Sequence, residues 1–161
     1  MKVKEIMTPN AEAIWLTESL ADAAESMWKN DCGALPVIKD GRKVIGMITD
    51  RDICMAAAMR DRKPSGVSIE EVMTRQVYSV NAEDNLDQAL AAMQEHKVRR
   101  LPVLNIEGEL AGMLSLNDVV LHAKAPNDET TDGIGYDDVV KTFQAICQHP
   151  LPATTTAIAA V

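Results

Sequence analysis

The chain has 161 residues, 47% of them hydrophobic and 25% charged, enough for a real core in one compact domain or two small ones. Its formal charge of -8 disfavours a general affinity for nucleic-acid phosphates. Its longest apolar runs are too short to cross a bilayer, and no signal-peptide apolar region follows Met1, so the expectation is a cytoplasmic protein.

In chain order, Val3 to Thr8 reads as one helical turn ended by Pro9. Ala13 to Leu16 is a short apolar strand. Ser19, followed three residues later by Asp22, is an N-cap signal for a helix. Leu20, Ala23, Ala24 and Met27 form that helix's apolar face, and Asp31 to Gly33 ends it. Two strands follow, Ala34 to Ile38 and Lys43 to Thr49, around turn chemistry at Lys39 to Arg42. A helix starts at Thr49 or Asp50 and carries Ile53, Cys54, Ala57 and Ala58. Arg60 to Val67 is a polar linker.

The order then repeats. Ile69 to Thr74 matches the opening turn, and Val77 to Val80 the short strand. Asn85 with Gln88 caps the helix that bears Leu86, Ala89, Leu90 and Met93. Leu101 to Leu104 and Leu110 to Ser115 are the strand pair, and the closing helix runs from Leu116 toward Lys124. At one offset of 66 residues the identities include Met7/Met73, Thr8/Thr74, Leu35/Leu101, Pro36/Pro102, Val37/Val103, Gly46/Gly112, Met47/Met113 and Asp52/Asp118. This is an internal duplication. Each unit is short for a core of its own, so the two should pack as one globule. The expected division is 1–62 for the first repeat, 66–125 for the second, and 126–161 for a mobile acidic linker, a helix and a tail. In that helix Tyr136, Val139, Val140, Phe143, Ile146 and Cys147 recur at helical spacing, with Pro150 and Pro152 beyond them. Its apolar face needs a partner, either the repeat pair or another subunit.

The duplicated corner is the candidate site. Gly46-Met47-Ile48-Thr49-Asp50-Arg51-Asp52 returns as Gly112-Met113-Leu114-Ser115-Leu116-Asn117-Asp118. A hydroxyl at a strand-to-helix junction sits beside free backbone N–H groups and the positive helix end, a natural anion site. A carboxylate one turn on can accept from a ribose diol. The same spacing is also a plain helix-capping pattern, and one residue set can do both. Arg99 and Arg100 precede Leu101; they are either phosphate-binding forks or the solvated basic end of a helix. The six repeat methionines read as adaptable core packing, and Trp15 as a core or interface residue. Cys32, Cys54 and Cys147 show no Cys-x-x-Cys spacing, and His96, His122 and His149 are scattered, which argues against disulfides and structural zinc. No nucleophile–base pair or phosphate loop is present, so catalysis is not expected.

The element order, the Met-Thr pairs, the two Leu-Pro-Val strands and the two corners together resemble the CBS (cystathionine-β-synthase-like) domain family over about residues 3 to 123, in its small stand-alone prokaryotic form. The resemblance implies an α/β (α+β) fold of two β-α-β-β-α repeats packed as a pseudo-twofold pair, plus a helical tail. It implies regulatory binding of an adenosyl small molecule (AMP, ADP, ATP or S-adenosylmethionine) between the repeats, with Mg accompanying ATP and no resident cofactor. It also implies a homodimer, a regulated protein partner, and no nucleic-acid or membrane partner. Thr49 and Ser115 would face phosphate or ribose, and Asp52 and Asp118 the ribose hydroxyls. Arg99 and Arg100 would reach phosphates; Ile14 and Val80 would line the adenine pocket. The first repeat departs from the pattern, with Gly33-Ala34 in place of the arginine pair, and Arg51 is the candidate substitute. The alternative is a ligand-free interaction module that acts through its dimer surface and tail.

Overall fold

The computed structural model describes residues 1–124 and 133–148. The linker expected from residue 126, Pro150, Pro152 and the tail lie outside the described residues. After a 3-10 turn at Val3–Glu5 come β1 (Thr8–Pro9), β2 (Ile14–Trp15), α1 (Leu20–Lys29), β3 (Ala34–Lys39), β4 (Lys43–Thr49) and α2 (Asp50–Met59). After a 3-10 turn at Pro64–Gly66, a third at Ile69–Glu71 precedes β5 (Val80–Asn81), α3 (Leu86–His96), β6 (Arg100–Leu104), β7 (Leu110–Ser115) and α4 (Leu116–His122); α5 (Tyr136–Cys147) is the last described element. The expected β-α-β-β-α order is present twice, in an α/β architecture.

The two repeats share their register to the residue. β2 and β5 run parallel to β3 and β6, with Ile14 opposite Val37 and Val80 opposite Val103. The antiparallel hairpins β3–β4 and β6–β7 carry the same irregularity, at Val37/Ile38 and Val103/Leu104. The short strands are trimmed relative to the sequence reading, because only two residues of each reach a partner strand.

The cores do not follow chain order. β1 pairs with β7 of the other repeat, Thr8 opposite Met113. Thr74 bridges Met47 in the same way, with two backbone bonds of 2.9 Å. Each opening segment is thus laid along the other repeat's hairpin. This crossing explains Gly46 and Gly112. A Cβ on Gly46 would lie 2.6 Å from Met73 Sδ and 3.0 Å from the Thr74 carbonyl oxygen, and one on Gly112 would collide with the Thr8 carbonyl oxygen. Val3 and Ile6 are buried in the second repeat's core, while Val67, Ile69 and Met73 are buried in the first. Fully burying such a side chain is worth about 1.5–3 kcal/mol, so the exchange ties the repeats into one body.

Two helical faces differ from expectation. In α2 the buried residue is Ala56, with Ile53 half-buried and Cys54, Ala57 and Ala58 exposed; the helix lies on the hairpin by a narrower stripe than the apolar count implied. In α5, Thr142 and Ile146 are buried and Val139 half-buried, whereas Tyr136, Val140, Phe143 and Cys147 are exposed. Ile134 and Ile146 join the second core, so this helix docks on the repeat pair. Thr142 replaces an apolar contact with a satisfied polar one: its hydroxyl accepts from Gln94 Nε2 at 2.7 Å and donates to the Asp138 carbonyl at 2.8 Å.

Candidate functional site: a cleft at the second corner

Both corners are capping boxes. Thr49 N–H and Oγ1–H donate to Asp52 Oδ2 at 2.9 and 2.7 Å, and Asp52 N–H donates back to Thr49 Oγ1 at 3.2 Å. Ser115 N–H and Oγ–H donate to Asp118 Oδ2 at 2.7 and 2.6 Å, and Asp118 N–H returns to Ser115 Oγ at 3.3 Å. Ser19 and Asp22 build the same box at the start of α1. Capping alone therefore does not mark a site. In both corners one carboxylate oxygen takes the capping bonds, and the other takes none among the described residues. A half-buried carboxylate with one free oxygen can cap and still accept from a ligand.

What separates the corners is the space before them. A cleft of about 570 Å³ opens at Ser115 and Asp118. Arg99 and Arg100, Phe143 of α5, Thr8 and Asn10 to Glu12, and Asn30 to Cys32 beyond α1 also line it. The exchange of opening segments brings first-repeat residues into the same cleft as the second-repeat corner. Arg99 and Arg100 make no ion pair with any described residue, so their donors remain available. The acids Glu12, Asp31 and Asp118 share the cleft, which limits how much negative charge it can take.

A second cleft of about 550 Å³ lies between α1 and α2, bordered by Met27, Trp28, Asp50, Ile53 and Cys54. Arg100, Asp31 and Cys32 border both clefts. Burial pushes the Cys32 thiol up from its ordinary value, against a smaller opposing effect from the Ala34 backbone N–H and the Arg100 charge. It is held as a thiol, not a thiolate.

Of the sequence-predicted residues, Ser115, Asp118, Arg99 and Arg100 meet in one cleft. Thr49, Arg51 and Asp52 line neither cleft. Ile14 and Val80 are buried in the first and second core, one on each short strand. The positions that would face the first corner by the offset of 66 are Tyr78 and His96, equivalent to Glu12 and Asn30. Their rings stack at 3.7 Å between centroids and 6° between planes. Two rings thus stand where the second corner's cleft has smaller side chains.

Asn10, Asp31 and Glu12 were not singled out as site residues from sequence, and Phe143 was placed only on the apolar face of α5. Asn10 and Asp31 have φ of 51° and 47°, a left-handed conformation that short polar side chains tolerate best. Their identity was the available signal for sharp turns at the cleft wall.

A family model for the CBS domain matches residues 3–58 and 69–124. The chain belongs to the CBS domain family. As a CBS pair it is 33% identical over 119 residues to Hypoxic response protein 1 of Mycobacterium tuberculosis, covering 74% of this chain and 82% of that protein. The crystal structure of that protein, which holds two coordinated zinc ions, matches at a TM-score of 0.70 and 31% identity, covering 77% of this chain and all of that one. Among the described residues of this CBS pair no group of three or more His, Cys, Asp or Glu is arranged to hold a metal ion. CBSX2 of Arabidopsis thaliana, solved in complex with AMP, matches at a TM-score of 0.63 and 28% identity over 74% of this chain and 93% of that one. The CBS pair of MJ0100, solved with 5-methylthioadenosine and S-adenosyl-L-methionine, matches at 0.64 and 25% identity over 75% and 94%. Among the described residues of the chain, no helix is long and apolar enough to cross a membrane.

Proposed function

We propose that this CBS pair is a regulatory module that binds an adenine nucleotide in the cleft at the second corner and performs no catalysis. The observation that carries the reading is that, among the described residues, one oxygen of Asp118 takes no hydrogen bond and Arg99 and Arg100 make no ion pair, all three in one cleft. A carboxylate oxygen suits a ribose diol, and planar guanidinium forks suit a phosphate. The AMP and S-adenosyl-L-methionine complexes of similar CBS pairs support an adenosyl ligand. The acids in the same cleft favour a monophosphate over a long polyphosphate, unless Mg accompanies ATP.

Thr49, Asp52 and Arg51 form a second, weaker site in this reading, with Ile14 and Val80 behind the adenine positions. Binding favours whichever arrangement of the two repeats holds the ligand better, and a protein partner reads the change. Trp28, Met59 and Leu121, at 88%, 77% and 79% exposure on α1, α2 and α4, support association of two copies through their helices. The setting is the cytoplasm, where free nucleotides are abundant.

The test is calorimetric titration of the full chain with AMP, ADP, ATP and S-adenosylmethionine, alongside its mass by light scattering. Binding by AMP and a dimer mass are expected. Silence from all four ligands sinks the nucleotide reading.

A further inference from the structure

Helix α5 lies outside both matched repeats, yet it contributes to the wall of the second-corner cleft. The Arg99 Cζ lies 5.9 Å from the centroid of the Phe143 ring, within range of a cation–π contact. The ring is not placed there by chance of a loose helix. Beside the ring, α5 is fixed by the buried Thr142, bonded to Gln94 of α3, and by Ile146 in the second core.

The chemistry of a guanidinium beside a ring gives this contact a use. The positive charge is drawn to the electron-rich ring, while the five N–H donors, which lie in the guanidinium's own plane, stay available for other partners. Arg99 is exposed, and its side chain makes no ion pair with a described residue. A free arginine would lose much rotamer freedom on seizing an anion. One already held within cation–π range of a ring loses less.

We propose that Phe143 is a positioning residue for Arg99, which makes α5 part of the ligand site and couples its docking to phosphate binding. This rests on the nucleotide reading above. Coupling is reciprocal: whatever factor the docked helix adds to phosphate affinity, phosphate adds to helix docking.

The full chain is titrated with AMP and with adenosine, as wild type, Phe143→Leu, Phe143→Tyr, Arg99→Ala and the Phe143→Leu/Arg99→Ala double variant. Phe143→Leu keeps the apolar bulk and removes the ring. It weakens AMP binding by about three- to five-fold, leaves adenosine unchanged, and is rescued by Phe143→Tyr. In the Arg99→Ala background the Phe143→Leu effect disappears. Unchanged AMP binding in Phe143→Leu, equal losses for AMP and adenosine, or strict additivity with Arg99→Ala each overturns the positioning role. Wild type that binds S-adenosylmethionine but not AMP overturns the phosphate role and leaves the adenosyl site standing. Wild type that binds none of these ligands overturns the nucleotide reading itself.

Discussion

The two corners have the same capping geometry and different surroundings. Thr49–Asp52 and Ser115–Asp118 each spend one carboxylate oxygen on their helix and leave the other. Ser115 and Asp118 of the second share a cleft with a guanidinium pair, whereas Thr49 and Asp52 line neither of the two clefts described. The first has Gly33 and Ala34 at the arginine positions, and the stacked Tyr78 and His96 at two wall positions. Duplication preserved the scaffold, because Gly46, Gly112 and the exchanged turns leave it little room to change. The walls carry no such constraint, and there the copies have diverged. A shared motif thus locates two scaffolding corners, and its neighbours decide which of them can act as a site.

The largest expected effect tests the shared scaffold. Ile69 opens the second repeat and is fully buried in the first repeat's core. Ile69→Ala should cost about 3–4 kcal/mol, by lost burial and the cavity left behind. Urea denaturation should show one transition, shifted as a whole. A separate early transition confined to the first repeat would break the picture of exchanged cores.

Next comes a difference between the copies within the scaffold itself. An added Cβ at Gly112 meets the Thr8 backbone, which cannot yield without loosening β1. At Gly46 the nearest atom is Met73 Sδ, on a flexible side chain. Gly112→Ala should therefore cost about 3 kcal/mol and Gly46→Ala about 1 kcal/mol, within the range of overpacking. Equal costs would mean that the β1 pairing is softer than it looks.

The duplication, the element order, the corners and the arginine pair were legible in the sequence, because each rests on local chemistry or on identity at one offset. The exchange of opening segments was not. Gly46 and Gly112 announce a close approach, but a glycine does not name the backbone that approaches it. The face of α5 was misjudged for a related reason. Tyr136, Val140 and Phe143 share helical spacing with Val139 and Ile146, so two adjacent faces merged into one, and the buried stripe also includes the polar Thr142. Phe143 was placed on an apolar face in need of a partner, either the repeat pair or another subunit; it stands at the cleft beside Arg99.

A smaller effect concerns the exposed charges that hold the exchanged turns. The Ser68 backbone N–H, helped by Arg62, holds the Glu71 carboxyl below its usual 4.5. A hydrogen bond from Lys4 does the same for Glu83, whose usual value is also 4.5. Both groups bind protons more weakly in the folded chain than in the unfolded one. Their stabilisation is complete above about pH 4.5 and is lost as pH falls through their lower folded values. Denaturation midpoints should fall modestly as the pH drops below about 4.5, and less so at high salt, since these pairs are solvent-exposed. A midpoint that rises on acidification would contradict the sign.

The central claim is that the second corner, and not the first, is the principal ligand site. Calorimetric titration with AMP of Asp52→Ala and Asp118→Ala tests it most directly. Both variants lose an equivalent cap, at a similar cost of about 1 kcal/mol in stability, so each controls for the other's folding effect. The account predicts that Asp118→Ala weakens the tightest AMP binding at least about tenfold and that Asp52→Ala leaves it near wild type. The reverse order, or equal losses in the two variants, would contradict it.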